Sequence, residues 1–155
     1  DREWLRGAVR EPRTKAYFGG TKNHGTMEAY AVGDLPDADL DALVEYMLML
    51  REQGRASTET AQTYDQALAE RGKAYWEGEA ECSGCHQVEK DADGDGAPTL
   101  WGRGTQAWIG RVIRDSSQVD LYGKAAEMPS FAKKLTDDEI TMLAEYVYEQ
   151  GLVQE

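Results

Sequence analysis

At the centre of this chain stands the pentapeptide Cys82-Ser83-Gly84-Cys85-His86, which contains its only two cysteines. Two thiols three positions apart, followed at once by a histidine, form the C-x-x-C-H spacing to which c-type haem is attached. Each thiol bonds one vinyl-derived carbon of the porphyrin, and His86 then lies under the iron. A zinc site would need further thiolates or histidines, and only His24 is left. A C-x-x-C pair can also be a redox-active dithiol or a disulfide, but here we expect one covalent haem c.

A histidine-ligated haem in an electron carrier usually has a second axial ligand, most often methionine. Three of the five methionines lie at helical spacing with other apolar residues, which favours core packing: Met47, Met49 and Met142. Of the remaining two, Met27 and Met128, the second precedes Pro129, which forces it into an extended conformation. We therefore predict that His86 and Met128 are the axial ligands.

Helical patterns follow the motif at two places, after Thr105 and after Thr136, and neither stretch reads as a strand. Thr136 and Glu139 form a capping box, followed by an amphipathic pattern that predicts a helix ending near Gly151. Thr105 caps a second such pattern, and Ser57 or Thr58 is positioned to cap the helix that precedes the cysteines. The connections are rich in glycine, proline and aspartate. The sequence thus predicts an all-α fold with long loops.

From residue 67 to 155 the chain resembles a class I cytochrome c domain, because five pieces occur in that family's order. These are a first helix at Ala67 to Trp76, with Gly72 and Tyr75 or Trp76 where it crosses the last helix; the haem motif; Ala97 to Gly102, similar to G-P-x-L-x-G with Ala97 in place of the first glycine; Met128-Pro129; and a last helix at Leu135 to Glu149. The resemblance implies a cytochrome c-like helical fold around one haem.

The same resemblance implies roles for individual residues. Cys82 and Cys85 form the covalent thioethers, and the carbonyl of Pro98 accepts a hydrogen bond from the second imidazole nitrogen of His86, which fixes its tautomer. Trp108 matches an aromatic residue that often reaches a haem propionate. The haem pocket is expected to be lined by Pro98, Leu100, Trp108 and Tyr122.

Residues 1–54 form a degenerate repeat of the part of the domain that follows the haem motif. The aligned pairs of segments are Trp4 to Glu11 with Trp108 to Asp115, Tyr17 to Gly19 with Leu121 to Gly123, Met27 to Tyr30 with Met128 to Phe131, and Leu35 to Met47 with Leu135 to Val147. We predict a haemless half-domain at 1–54, a linker and helix start at 55–66, and a monohaem domain at 67–155. A chance alignment of two amphipathic helices would also explain the similarity.

Two residues of the first half have open roles. Met27 once faced a haem in a longer parent protein, or it belongs to a haemless packing unit. His24 lies in a loop with glycine and asparagine, where it is solvent-exposed or ligates a haem or metal of a partner.

Charge and hydropathy exclude several function classes. Acidic residues outnumber basic ones by 29 to 17, so a nucleic-acid backbone would be repelled. The longest apolar run, Met47 to Leu50, has four residues, whereas a membrane-spanning helix needs roughly 20. No leader-like segment opens the chain, so we expect a mature or excised form without a signal or anchor segment.

Taken together, these features predict one-electron transfer without a small-molecule substrate. The partners implied are redox proteins, either a quinol-oxidising membrane complex or a small soluble carrier, on the periplasmic side of the membrane where c-type haem is attached. Trp4 to Met27 also resembles, more loosely, segments of cytochrome c domains of bacterial bc-type complexes. A haem enzyme, such as a peroxidase or reductase, and a haem-based gas sensor in which Met128 is displaced are the competing hypotheses.

Overall fold

A computed structural model describes residues 1–20, 27, 29–30, 33–78, 80–90, 92 and 97–152 of the chain. Its five α-helices are α1 (Arg2–Arg10), α2 (Asp37–Gln53), α3 (Gln66–Gly78), α4 (Gln106–Asp115) and α5 (Asp137–Leu152), with short 3₁₀ helices at Glu81–Gly84 and Gly123–Ala125. Within these ranges there is no strand, which confirms the predicted all-α class. In the same ranges, no helix combines the length and apolar character needed to cross a bilayer.

Side-chain caps begin the last two helices where the sequence predicts them. The hydroxyl of Thr105 accepts a hydrogen bond from the backbone N–H of Trp108 at 3.2 Å. At α5, the Glu139 carboxylate accepts from the N–H of Thr136 at 2.7 Å, while the Thr136 hydroxyl accepts from the N–H of Glu139 at 3.3 Å. These local hydrogen bonds satisfy N–H groups that lack partners within the helix.

The predicted cap of α3 is wrong. This helix begins at Gln66, and the side chain of Asp65, rather than Ser57 or Thr58, accepts from the N–H of Leu68 at 2.9 Å. The segment before it is held in a non-helical course by other contacts, including a hydrogen bond from Arg55 to the carbonyl of Ala56 at 2.9 Å. Ser57 and Thr58 therefore cap no helix, because the backbone after them does not take a helical course.

Helix α2 lies at the centre of the main core, with α1 and α3 packed against it. Its fully buried side chains share a cluster with Trp76 of α3 and Val9 of α1. Gly72 of α3 meets the backbone of α2, since a Cβ atom at this position would lie 2.0 Å from the carbonyl oxygen of Ala42. Glu45 of α2 also accepts the backbone N–H of Asp65 at 2.7 Å, which ties the start of α3 to α2.

The prediction that Gly72 crosses the last helix is therefore wrong, because the helix at the crossing is α2. Across the described residues, α3 and α5 make no contact. By the repeat alignment, α2 and α5 carry the same apolar pattern, so either offers a suitable surface. The segment joining α2 to α3 is much shorter than the one joining α3 to α5, and closing a shorter loop costs less entropy.

Helices α4 and α5 form a second, smaller cluster around Ile113, Ile140 and Ala144. The end of α5 joins the end of α2, where Arg51 donates to the hydroxyl of Tyr148 at 2.7 Å and stacks over its ring at 5.1 Å. The same hydroxyl donates to the carbonyl of Thr60. These contacts connect the two clusters.

Aligned residues of the repeat form the same ion pair in both halves. Arg10 Nη2 lies 2.9 Å from the Asp37 carboxylate, which opens α2, and Arg114 Nη1 lies 2.7 Å from the Asp137 carboxylate, which opens α5. Both pairs join the end of one helix to the start of the next.

Aligned aromatic residues also pair in both halves. The ring centroids of Trp4 and Phe18 are 6.0 Å apart in an edge-to-face arrangement, and those of Trp108 and Tyr122 are 6.3 Å apart in the same arrangement. The two halves thus share contacts as well as sequence, whereas the domain boundaries at residues 54 and 66 stay predictions.

Candidate functional site

The haem motif begins in the 3₁₀ helix Glu81–Gly84, which follows α3 directly. The backbone N–H groups of Cys85 and His86 both donate to the carbonyl of Cys82, at 3.2 and 2.9 Å. Within the described residues, neither cysteine is joined in a disulfide. The thiol of Cys82 is half-buried against the main core and that of Cys85 is exposed. The two sulfurs are therefore available for covalent attachment rather than joined in a disulfide.

One imidazole nitrogen of His86 is already engaged. Its Nδ1 atom lies 2.9 Å from the carbonyl oxygen of Pro98, the contact expected from the sequence. A carbonyl only accepts, so Nδ1 carries the proton and Nε2 is left with a lone pair for a metal. Burial lowers the pKa of His86, the Pro98 hydrogen bond opposes this, and the charge of Arg103 lowers it further. The neutral, metal-binding form of the imidazole is therefore favoured.

Pro98 is held beside His86 by pairing between two short segments. The N–H of Leu100 donates to the carbonyl of Gln87 at 2.9 Å, and the buried hydroxyl of Thr99 lies 3.1 Å from the same carbonyl. Leu100 is half-buried and packs against the core that also receives Cys82. Two predicted pocket residues, Pro98 and Leu100, thus lie on the segment that faces the motif.

Arg103, a charged residue that the sequence analysis does not single out, contacts the other two predicted pocket residues, Trp108 and Tyr122. The guanidinium carbon of Arg103 lies 5.1 Å from the ring centroid of Trp108 and 5.6 Å from that of Tyr122. Its Nη2 atom also donates to the Tyr122 hydroxyl at 3.3 Å. The flanking residues Gly102 and Gly104 have φ of 62° and 81°. The sequence does show an arginine between two glycines, and this pattern could have indicated that Arg103 has a special position.

Two donors in this group are buried and unpaired within the described part of the chain: Nη1 of Arg103 and Nε1 of Trp108. A buried donor without an acceptor is costly, so such atoms point to a ligand with matching acceptors. Haem carries two propionate carboxylates, which are acceptors of this kind. With two cysteines that form no disulfide and a preoriented imidazole beside them, the residues present fit a covalent haem.

The zinc alternative finds no support in the structure. Among the residues described, no group of three or more His, Cys, Asp or Glu side chains is arranged to hold a metal ion. His24, the remaining histidine, lies outside the described residues.

The two candidate methionines lie in different surroundings. Met128 is 39% exposed, and its carbonyl accepts from the hydroxyl of the buried Ser116 at 3.0 Å, which holds the loop to the end of α4. Met27 is half-buried and packs against the main core, and its carbonyl accepts from Arg13 at 3.3 Å. The choice of Met128 as axial ligand stays a prediction.

Comparison with known proteins adds one finding. The family model described as "Cytochrome C oxidase, cbb3-type, subunit III" matches residues 67–147, more than half of the chain. This range starts within the first turn of α3 and includes the haem motif, α4 and most of α5. No curated protein and no solved structure matches the chain.

Proposed function

The chain belongs to this family of cytochrome c domains, and from that premise we propose that it transfers single electrons through one covalent haem c with His86 and Met128 as axial ligands. Membership supports haem-based electron transfer in general, and the ligand pair and the single haem are our proposal. The observation that carries it is the 2.9 Å contact between His86 Nδ1 and the Pro98 carbonyl oxygen. This contact directs the free Nε2 lone pair to a metal in the way a haem ligand requires.

Besides the axial ligands, the residues of this chain would hold the cofactor at two kinds of position. The thiols of Cys82 and Cys85 would add across the two vinyl C=C bonds. In each addition the S–H bond and the vinyl π bond break, sulfur bonds one carbon as a thioether, and the hydrogen goes to the other carbon. Arg103 and Trp108 would donate from their buried N–H groups, which are unpaired in the described part of the chain, to propionate oxygens. When bound, the haem supplies the one-electron ferric–ferrous couple.

The residues around the site also favour the reduced state. The positive charge of Arg103, close enough to His86 to lower its pKa, stabilises the form of the site that carries one more electron. A methionine ligand raises the potential in the same direction. The half-buried Leu100 packs against the main core and gives the site an apolar side.

We propose redox proteins as partners, specifically a quinol-oxidising membrane complex or a small soluble carrier. The formal charge of −12 favours a partner with a basic docking surface, because opposite charges accelerate encounter. The proposed compartment is the periplasmic side of the membrane, where c-type haem is attached.

A second candidate function is one in which Met128 does not stay bound to the iron. A displaced methionine would leave an open iron position. Such a site suits a gas sensor, or a haem enzyme such as a peroxidase or reductase.

Spectroscopy of the purified holoprotein tests both candidates. We expect a pyridine haemochrome that corresponds to one c-type haem per chain, a near-infrared methionine–iron band in the oxidised protein, and no carbon monoxide binding to the reduced protein at neutral pH. A high-spin oxidised spectrum, or ready carbon monoxide binding, would favour the sensor or enzyme and contradict the carrier.

A further inference from the structure

The turn that carries Arg103 contacts the C-terminal end of α2 through its backbone. The N–H of Gly102 donates to the carbonyl of Leu50, in the last turn of α2, at 3.2 Å. Gly54 directly follows α2, and a Cβ atom there would lie 2.3 Å from the Cα atom and 2.7 Å from the N atom of Gly102. Glycine at residue 54 therefore allows the two backbones to meet directly.

Both ends of the turn are fixed. Gly102 and Gly104, on either side of Arg103, have φ of 62° and 81°, in the left-handed region that favours glycine. The buried hydroxyl of Thr105 donates to the carbonyl of Gly102 at 2.7 Å, and the N–H of Thr105 donates to the same oxygen at 3.1 Å. The backbone of Arg103 is thus held by α2 on one side and by the cap of α4 on the other.

The first turn of α4, which carries Trp108, is bound by the same part of the chain. The buried carboxylate of Glu59 accepts the N–H of Gln106, the first residue of α4, at 2.8 Å. The segment 54–59 therefore contacts both the turn with Arg103 and the start of the helix with the indole on which its guanidinium stacks.

These backbone contacts determine where the charge of Arg103 lies. Its guanidinium stacks over Trp108 and Tyr122, and its Nη1 atom is buried and unpaired within the described part of the chain. A long, flexible side chain reaches one place only when its backbone is held by surrounding residues. A shift of the turn would move the guanidinium away from the two rings and its buried donor away from the haem propionates.

We infer that the end of α2 positions the haem site: Gly54 holds the turn with Arg103 in place, so that the first half of the chain sets the midpoint potential of the haem in the second. The inference rests on the proposed function, in which the haem is bound beside Arg103. Its physical basis is that a fixed positive charge near the iron stabilises the reduced site. Gly54 acts through Arg103 and is a positioning residue.

The test is Gly54→Ala in the holoprotein. The added Cβ would collide with the backbone of Gly102, displace the turn and lower the midpoint potential, which potentiometric titration measures. We expect a fall of at least about half of that caused by Arg103→Gln, because displacement moves the charge away without removing it. Gly33→Ala is the matched control in the first half of the chain and should leave the potential unchanged, since a Cβ atom there would meet nothing within 4 Å.

A double-mutant cycle separates positioning from a general loss of structure. In the Arg103→Gln protein, Gly54→Ala should cause no further fall in potential, because no guanidinium is left to displace. If Gly54→Ala does not yield folded holoprotein, Gly102→Ala tests the same contact from the other side, in the same cycle with Arg103→Gln. A Cβ atom at Gly102 would lie 3.3 Å from the Cα atom of Gly54, a milder overlap.

Four outcomes would overturn the inference. These are an unchanged potential in Arg103→Gln, an unchanged potential in Gly54→Ala where Arg103→Gln lowers it, an equal fall in Gly33→Ala, or an equal fall on Gly54→Ala with and without Arg103. Failure of the proposed function is detected separately, in the native protein, by the absence of one c-type haem in the pyridine haemochrome or of the near-infrared methionine–iron band.

Discussion

Gly72 of α3 packs directly on the backbone of α2, so that a Cβ atom at residue 72 would lie 2.0 Å from the carbonyl oxygen of Ala42. This contact sets the distance between the helix that carries the haem motif and the helix at the centre of the core. It also shows that α2, a helix of the first half of the chain, supports α3, the helix directly before the haem motif.

Replacing Gly72 by Ala should destabilise the protein by about 1 to 3 kcal/mol, because the added methyl group forces two backbones apart. Urea unfolding of the holoprotein measures this as a lower midpoint at unchanged slope. Gly78→Ala is the control, since a Cβ there would meet nothing within 4 Å and alanine favours the helix. Equal stability of the Gly72→Ala protein and the native protein would show that α3 does not pack on α2 as described.

Met128→Ala should remove the near-infrared methionine–iron band, lower the midpoint potential and allow carbon monoxide to bind the reduced protein, because the sixth ligand is lost. Met27→Ala is the matched control and should leave the band intact. The reverse result, with the band lost only in Met27→Ala, would assign the ligand to the first half of the chain, whose methionine packs against the same core as Cys82.

Arg103→Gln should lower the midpoint potential, because a positive charge near the iron stabilises the reduced site. Arg103→Lys keeps that charge and should have a smaller effect, although lysine cannot stack over Trp108 and Tyr122 as the guanidinium does. Potentiometric titration of the three proteins measures the difference. If Arg103→Gln left the potential unchanged, the guanidinium would not lie near the iron.

Glu59→Ala should destabilise the protein by about 2 kcal/mol, because hydrogen bonds to charged acceptors at a helix N-terminus are lost. The buried carboxylate accepts the N–H groups of Gln106 at 2.8 Å and Ala107 at 3.2 Å, which begin α4. Thermal unfolding is the measurement. Ser57→Ala should be neutral, since this exposed serine does not cap α3; a large loss there would contradict the observed helix start.

The capping box of α5 predicts a specific pH dependence. The backbone N–H of Thr136, and then its hydroxyl, hold the pKa of Glu139 below its ordinary value. A carboxyl whose pKa is lower in the folded state stabilises the fold above its unfolded pKa, and this stabilisation is lost as pH falls through the folded pKa. Thr136→Ala removes the hydroxyl donor, so the pKa of Glu139 should rise partway and the acid-range slope of stability should decrease.

An NMR titration of side-chain carboxyls reports this directly, with Asp115 as the internal reference. The pKa of Asp115 is lowered by the hydroxyl and backbone N–H of Ser117, which Thr136→Ala does not touch. A simultaneous rise of both pKa values would indicate a general change in structure instead of the loss of one donor.

Local features of this protein could be predicted from the residues alone. The caps at Thr105 and Thr136 involve atoms three residues apart, and the contact between His86 and Pro98 follows from a family pattern within one short stretch. Interactions over so few residues depend little on the rest of the chain. The helix spacing of apolar residues likewise predicted the all-α class, which the structure confirms.

Arg103 was missed because its importance depends on two aromatic side chains from other segments, Trp108 of α4 and Tyr122 of the following loop. The sequence shows the two glycines beside it but not the partners that bury its guanidinium. The same limit applies to Glu59, whose carboxylate accepts from N–H donors that lie nearly fifty residues away in the chain.

The amino-acid sequence specified the haem motif, the helical patterns, the caps at Thr105 and Thr136 and the repeat, because each depends on a local spacing of residue types. It left open which helix would cover α3, since α2 and α5 carry the same apolar pattern and either could receive Gly72. Tertiary packing resolved that choice in favour of α2, where the shorter connection lowers the entropy cost of closure and Glu45 binds the start of α3. As a result the equivalent face of α5 remains exposed.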